Sequence, residues 1–218
     1  MNPYSLLSRL PLFQGMSSSE FDDVISHVRM GFSKVSANER IFAEGEPVNG
    51  LSFILNGIVE METVADDGSF SVIEEISTPC VIQPERLFGL TQRFSHNFSA
   101  KTDCQLLTIS KGEVMRLTTE SMVFRLNMMN LICTQAQTAM HLPWQHKHED
   151  ITKKITTFIR SHCLRPIGRK IVKIGMVQLG HEISESRLNV SKALHNMQEE
   201  GKITNSRGII IIPHLEEL

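Results

Sequence analysis

Ser184-Glu185-Ser186-Arg187-Leu188-Asn189-Val190-Ser191-Lys192 is the stretch on which the reading of this chain turns. Ser186 offers a hydroxyl to cap a helix beginning at Arg187. Val190, Ala193, Leu194 and Met197 recur at helical spacing and make the inward face. Arg187, Asn189, Ser191 and Lys192 fall on the opposite side, crowded into the first turns. Gly201 after Glu200 suits a left-handed C-cap. Upstream, residues 176–183 read as a short helix, with Ser184-Glu185-Ser186 as the turn between the two helices. Downstream, residues 202–205 and 209–212 flank Ser206-Arg207-Gly208 as a β-hairpin. Before them, residues 151–162 are amphipathic and residues 170–174 make a short strand. Two helices joined by a tight turn and followed by a β-hairpin read as a winged helix-turn-helix, whose second helix enters the major groove of double-stranded DNA.

The residue types fit that task. Arginine donates twice to guanine O6 and N7, and asparagine pairs with adenine N6 and N7. Ser186, Lys192 and the wing residue Arg207 suit phosphates. Leu188 either touches a thymine methyl or packs on its own domain. The charge distribution agrees. The formal net charge is −2, yet residues 151–218 carry eleven Lys and Arg against six acidic residues. The remaining 150 residues carry eleven against eighteen. A basic C-terminal third on an acidic body is an electrostatic footprint of nucleic-acid binding.

Toward the N-terminus the texture differs. Residues 1–29 read as helical, with Ser17 and Glu20 at capping-box spacing and Phe21, Val24, Ile25 and Val28 on one face. From Met30 to about Ile109 short strands alternate with turns, among them Asn56-Gly57 between two apolar runs, the strongest short hairpin signal, and Asp66-Asp67-Gly68. Regular short strands with glycine turns indicate a β-sandwich or roll. From Lys111 the pattern is helical for some thirty residues. Met122, Leu126, Met129, Cys133, Ala136 and Met140 are spaced 4, 3, 4, 3 and 4 apart. That is the seam by which two helices zip together, here between two copies of the chain. Pro143 ends or kinks this helix.

Glu44-Gly45-Glu46, Leu51-Ser52-Phe53-Ile54-Leu55-Asn56-Gly57, Ala100-Lys101-Thr102-Asp103-Cys104 and the recognition stretch quoted first occur in an order and spacing that resemble the Crp/Fnr superfamily of bacterial regulators, over essentially the whole chain. The resemblance implies an α+β fold in three parts: a cyclic-nucleotide-binding-like β-roll over residues 1–118, a long dimerisation helix over 119–143, and a winged helix-turn-helix DNA-binding domain over 144–218. It implies a homodimer, an operator with two-fold symmetry, and contact with RNA polymerase. Leu188 stands where family members often carry a cytosine-reading glutamate, and Gly175-Met176 where a hydroxyl cap and a basic residue are common, so the operator sequence is not transferable.

The resemblance also locates an effector pocket, lined by Glu85, Arg86, Phe94 and Ser95 of the roll and by Thr134 and Thr138 of the long helix. In cAMP-binding members a Gly-Glu-rich turn and an Arg-Ser pair hold the phosphodiester. Here the turn is Gln83-Pro84-Glu85-Arg86-Leu87-Phe88-Gly89 and the pair reads Phe94-Ser95. A buried phosphate anion needs a cationic partner and backbone donors. Phenylalanine replaces the cation and Pro84 removes a donor, with Arg86 and Arg93 as the substitutes left. The effector is therefore expected to be other than cAMP. The turn is similar to that of a divergent branch of the superfamily that includes haem-dependent, nitric-oxide-responsive regulators. Haem would need an axial ligand, for which His96, Met128, Cys133, Met140 and His141 are the candidates.

Other classes lack their residues. Cys80, Cys104, Cys133 and Cys163 are scattered, which reads as reduced cytoplasmic thiols and not as an iron–sulfur site. No apolar run is long enough to span a bilayer, and Met1 to Arg9 lacks a secretory apolar core. His146-Lys147-His148 offers too few ligands for a closed metal site, so no metal is expected. A cupin-like enzyme would need several histidines inside the roll, and only His96 lies between Met30 and Ile109. No catalytic residues are assigned. The alternative within the regulator class is a constitutive DNA-binding protein whose roll only dimerises.

Overall fold

The computed structural model describes residues 7–141, the last through its backbone alone, and 150–218. They form two compact units, one of residues 7–59 with 76–141 and one of 60–75 with 150–218.

Among the described residues of the first unit the N-terminal helical stretch read from the sequence is interrupted. Pro11–Phe13 is a 3-10 turn, and helix α1 runs over Ser18–His27. Its start is the capping box read from the sequence. The Glu20 backbone N–H donates to Ser17 Oγ at 3.4 Å, and the Ser17 N–H donates to Glu20 Oε2 at 2.8 Å. Pro11 and the left-handed Gly15 (φ +85) keep the preceding residues out of the helix.

Strands β1 (Met30–Val35), β3 (Gly50–Asn56), β6 (Cys80–Ile82) and β8 (Cys104–Ser110) make an antiparallel sheet in the order β1-β8-β3-β6. Strand β2 (Arg40–Phe42) pairs antiparallel with β7 (Asn97–Ala100). Leu51, Phe53, Ile54 and Leu55 are all buried, so β3 is covered on both faces and reads as a continuous apolar run.

The Asn56-Gly57 signal is not a hairpin. β3 pairs with β6 and β8, whereas the next strand, β4 (Ile58–Val64), belongs to a different sheet. Gly57 (φ +100) is where the chain crosses over, and a Cβ there would stand 2.6 Å from both the Asp103 carbonyl and Cys104 Sγ. The glycine is required by close approach of a neighbouring strand, a need that a local turn rule cannot distinguish from a type I′ turn.

Ser110 caps helix α2 (Lys111–Glu120), and α3 follows over Met122–His141. The expected thirty-residue helix is thus broken at Ser121. The Ser121 N–H closes α2 on the Leu117 carbonyl, and its hydroxyl accepts from the Phe124 N–H at 3.2 Å. Phe124 and Met128 turn inward, and Phe124 lies edge-on to Phe13 at 5.2 Å.

In the second unit the sheet order is β10-β11-β9-β5-β4, where β5 is Ser71–Ser77, β9 Lys170–Lys173, β10 Thr204–Ser206 and β11 Ile209–Ile212. Against it pack α4 (Ile151–Ser161), α5 (Met176–Ile183) and α6 (Arg187–Glu199). Ile155, Val172, Val190 and Ile212 are fully buried at its centre. Residues 60–75, which the sequence reading places with the roll, group with this unit.

Candidate nucleic-acid interface

α5 and α6 are joined by a turn whose geometry depends on one residue. Ser184 closes α5 in the left-handed conformation (φ 56), and the Glu185 N–H donates to the Gly180 carbonyl at 2.8 Å. A Cβ on Gly180 would lie 2.6 Å from the Glu185 carbonyl oxygen. Sequence reasoning passed over Gly180. Its signal was a glycine inside a short apolar helix ahead of a turn.

α6 begins as expected, with Ser186 Oγ accepting from the Asn189 N–H at 3.1 Å. Val190, Ala193, Leu194 and Met197 are buried, while Arg187, Leu188, Asn189 and Lys192 are exposed and Ser191 is half-buried. Leu188 is 64% exposed, so of its two readings, packing on its own domain is the one the structure removes. Glu185 accepts from Lys154 Nζ at 2.6 Å and from Asn189 Nδ2 at 3.2 Å. These bonds, Lys154 first, hold its carboxyl below the usual range. Glu185 is therefore engaged away from Arg187, which makes no ion pair among the described residues. Arg207 (φ 35) and Gly208 (φ 84) are a two-residue type I′ turn between the paired Ser206 and Ile209, placing the Arg207 side chain on the exposed tip of the hairpin. One exposed helix start and one hairpin tip thus present arginine and lysine without ion-pair partners among the described residues, beside the Asn189 amide that is held by Glu185, the group set for base edges and phosphates.

The stripe on α3 lies on the surface of the single chain. Met122, Leu126, Met129 and Met140 are 48 to 73% exposed, and Cys133 and Ala136 are exposed as well. It does not pack on its own unit.

Of the six residues expected at the effector pocket, one lines a concavity of the roll. A concavity of about 460 Å³ is lined by Phe42, Glu46, Pro47, Asn49, Gly50, Ser52, Phe94 and Thr108, so Phe94 alone of the six lines it. Phe94 is stacked on Phe42 at 4.3 Å and 17°. Ser95 is tied to Gln83, whose Nε2 donates to Ser95 Oγ at 2.5 Å and whose Oε1 accepts from the Ser95 N–H at 3.0 Å. Thr134 and Thr138 give their hydroxyl protons to backbone carbonyls one turn back, at 2.8 and 2.9 Å. Arg86 is half-buried, and Arg93 donates to the Gly45 carbonyl at 2.6 Å. Of the haem-ligand candidates, Met128 is buried, Cys133 and Met140 are exposed, and His96 stands edge-on to Phe98 at 6.5 Å. The His141 side chain, His146 and His148 lie outside the described residues. Among the described residues no three His, Cys, Asp or Glu side chains converge as a metal site, and no helix is long and apolar enough to cross a membrane.

Glu85 differs from its neighbours. Its Oε2 is buried without a hydrogen-bond partner, and burial pushes its carboxyl above the ordinary range. A raised folded-state pKa means that ionisation opposes folding, so stability is lost as pH rises from the unfolded value through the folded one. Glu85→Gln is accordingly expected to raise the Tm at pH 7 and leave it unchanged near pH 4, read by scanning calorimetry. A lower Tm at pH 7 would show that the carboxylate is stabilised as an anion.

Residues 32–121 match the cyclic nucleotide-binding domain family. No curated protein sequence matches the chain significantly. Among solved structures, the catabolite activator protein of Thermus thermophilus is similar at 19% identity, with 93% of each chain covered and a TM-score of 0.54. A protein of Eubacterium rectale assigned to the Crp/Fnr family of transcriptional regulators is similar at 17% identity, with 95% of this chain and 98% of that one covered and a TM-score of 0.54. The antiparallel roll with its flanking helices, the family match and these neighbours agree: residues 32–121 match a cyclic nucleotide-binding domain, and the chain has a fold similar to that of solved Crp/Fnr-type proteins.

Proposed function

We propose that the protein is a homodimeric, sequence-specific DNA-binding transcription regulator of the Crp/Fnr superfamily, acting in the cytoplasm and gated by an effector other than cAMP. The observation that carries the DNA-binding half is the start of α6. Arg187, Leu188, Asn189 and Lys192 are exposed on a helix whose other face is buried, and the turn before it is fixed by Gly180 and a capping serine. Such a helix can enter a major groove with its first turns while its scaffold stays rigid. Arg207 at the wing tip suits the adjacent phosphates.

Dimerisation is supported by the exposed stripe from Met122 to Met140, which follows a seam pattern and is left uncovered by its own unit. Two α6 helices related by two-fold symmetry would read half-sites about 34 Å apart. RNA polymerase is the further partner that such a regulator engages.

The effector reading rests on Phe94. Its ring stacks on Phe42 where a phosphate-binding arginine would be needed, which favours an apolar effector over a nucleotide. Any effector acts only through a difference in affinity between the DNA-competent and incompetent states. The same stack also fits the second reading, a constitutive regulator whose roll only dimerises. Titrating cAMP into the protein and measuring DNA affinity is expected to show no change. Haem is tested by hemin titration, where saturation at one per protomer assigns it.

The DNA-binding reading is tested by Arg187→Ala. The substitution is expected to cost about 1–3 kcal/mol of affinity for a selected duplex and to relax preference at one base pair per half-site. Unchanged affinity and preference, measured by fluorescence anisotropy on a panel of single-base variants, would remove α6 from the readout.

A further inference from the structure

Residues 60–75 contribute to the second unit in a way that a surface hairpin would not. β5 pairs with β9 in the register Ser71↔Lys173, Val72↔Val172, Ile73↔Ile171 and Glu74↔Lys170. Val72 is 2% exposed within the core that holds α4, α5 and α6. The Phe70 ring meets Phe158 at 5.3 Å and His162 at 5.1 Å, edge-on to both. Without this strand, Val172 and Phe158 would lose apolar cover beneath the recognition helix.

The register is fixed by charge. Glu74 and Lys170 are 3.0 Å apart, and their side chains are 1% and 0% exposed. Both Glu74 oxygens are further engaged, accepting from the Leu164 N–H at 2.7 Å and the Arg165 N–H at 3.0 Å. Lys170 Nζ also donates to the Ile167 carbonyl at 2.8 Å. Two partly exposed pairs flank them, Lys173–Glu62 at 2.9 Å and Arg169–Glu75 at 2.6 Å. A one-residue slip would set Lys170 against Ile73 or Glu75 and turn the buried face of β5 outward. An undocked strand would leave the lysine and the carboxylate to be rehydrated separately. The pairing therefore admits this register over its neighbours.

We infer that residues 60–75 are a clasp strand that completes the DNA-binding unit: the edge of β9 is a docking site for β5, Glu74 is its recognition residue, and docking is required for α6 to bind DNA. β5 is the strand paired with β9, and it continues beyond Glu75 to Ser77. The DNA half of this claim rests on the proposed DNA-binding role. The docking half does not.

The test uses the full chain, hydrogen exchange of the β9 amides, and anisotropy on a duplex selected by the wild-type protein. Lys170→Met alone strands a buried carboxylate, and Glu74→Leu alone strands a buried ammonium. Each is expected to speed β9 exchange by about 100-fold and to weaken DNA binding at least about tenfold, while Glu74→Leu with Lys170→Met recovers both. Should the single variants not fold, Ile73→Cys with Ile171→Cys reads the same seam, since these half-exposed residues face one another in register. Its oxidised form is expected to bind DNA as tightly as the wild type or more tightly. Wild-type β9 exchange in the single variants would overturn the docking claim. Faster exchange with unchanged DNA affinity, or loss of DNA binding on oxidation, would overturn the claim that docking is required. If no duplex is bound by any form, the regulator reading fails, and β9 exchange still decides whether the clasp exists.

Discussion

Gly180→Ala is expected to destabilise the C-terminal unit and abolish DNA binding, although alanine is the better helix former. In an unobstructed helix the change would gain roughly 0.5–1 kcal/mol. At Gly180 the added carbon would lie 2.6 Å from the Glu185 carbonyl oxygen. That oxygen belongs to a turn pinned by the Glu185 N–H to Gly180 bond and by the left-handed Ser184, so neither side can yield cheaply. Overpacking of this kind costs about 1–3 kcal/mol, which outweighs the propensity gain and tilts α6 away from its cap. Gly112→Ala in α2 is the matched control, because nothing lies within 4 Å of its added carbon. Chemical denaturation should show a lower midpoint for Gly180→Ala and a higher one for Gly112→Ala. Equal behaviour of the two would mean that the turn is not what fixes α6.

The second large effect is expected at the middle of the exposed stripe on α3. Met129 is 55% exposed in the single chain and lies between Leu126 and Cys133 on the same face. In a two-fold pair each substitution counts twice. Met129→Asp removes two buried side chains and sets two carboxylates at the centre of the seam, a loss of about 4 kcal/mol and so about a thousandfold in the dimer dissociation constant. Sedimentation should show monomers at micromolar protein, and DNA affinity should fall with them because one half-site is held alone. Cys133 reports the same event. It should be shielded from a thiol reagent in the wild type and react in Met129→Asp, whereas Cys163, whose thiol burial pushes up to about 12, should stay inert in both. A variant that remains dimeric would place the seam elsewhere.

Features that are local in sequence were legible in advance. The Ser17–Glu20 capping box, the Ser186 cap, the Gly201 stop and the Ser206–Ile209 hairpin are each decided by residues within a few positions of one another. The inward face of α6 followed from its periodicity. The misreadings share a cause. Gly57 was required by Asp103 and Cys104, nearly fifty residues away, so a two-residue turn rule gave it the wrong role. Ser121 both ends α2 and starts α3, which a run of helical residues conceals. Glu74 and Lys170 look like ordinary exposed charges when strands alternate polar and apolar residues, and only their pairing across β5 and β9 shows that both are buried. Phe94 lines a concavity of the roll, but Phe42, Ser52 and Thr108 beside it come from three different strands, and no spacing along the chain links them.

The most direct test of the account is selection of duplex DNA from a random pool by the purified full-length protein, followed by anisotropy of the enriched sequence at several salt concentrations. The account predicts one enriched sequence with two-fold symmetry, half-site centres about one duplex turn apart, one dimer per duplex, and affinity that falls as salt rises. Failure to enrich any sequence, or binding no tighter than to the starting pool at every salt concentration, would contradict it.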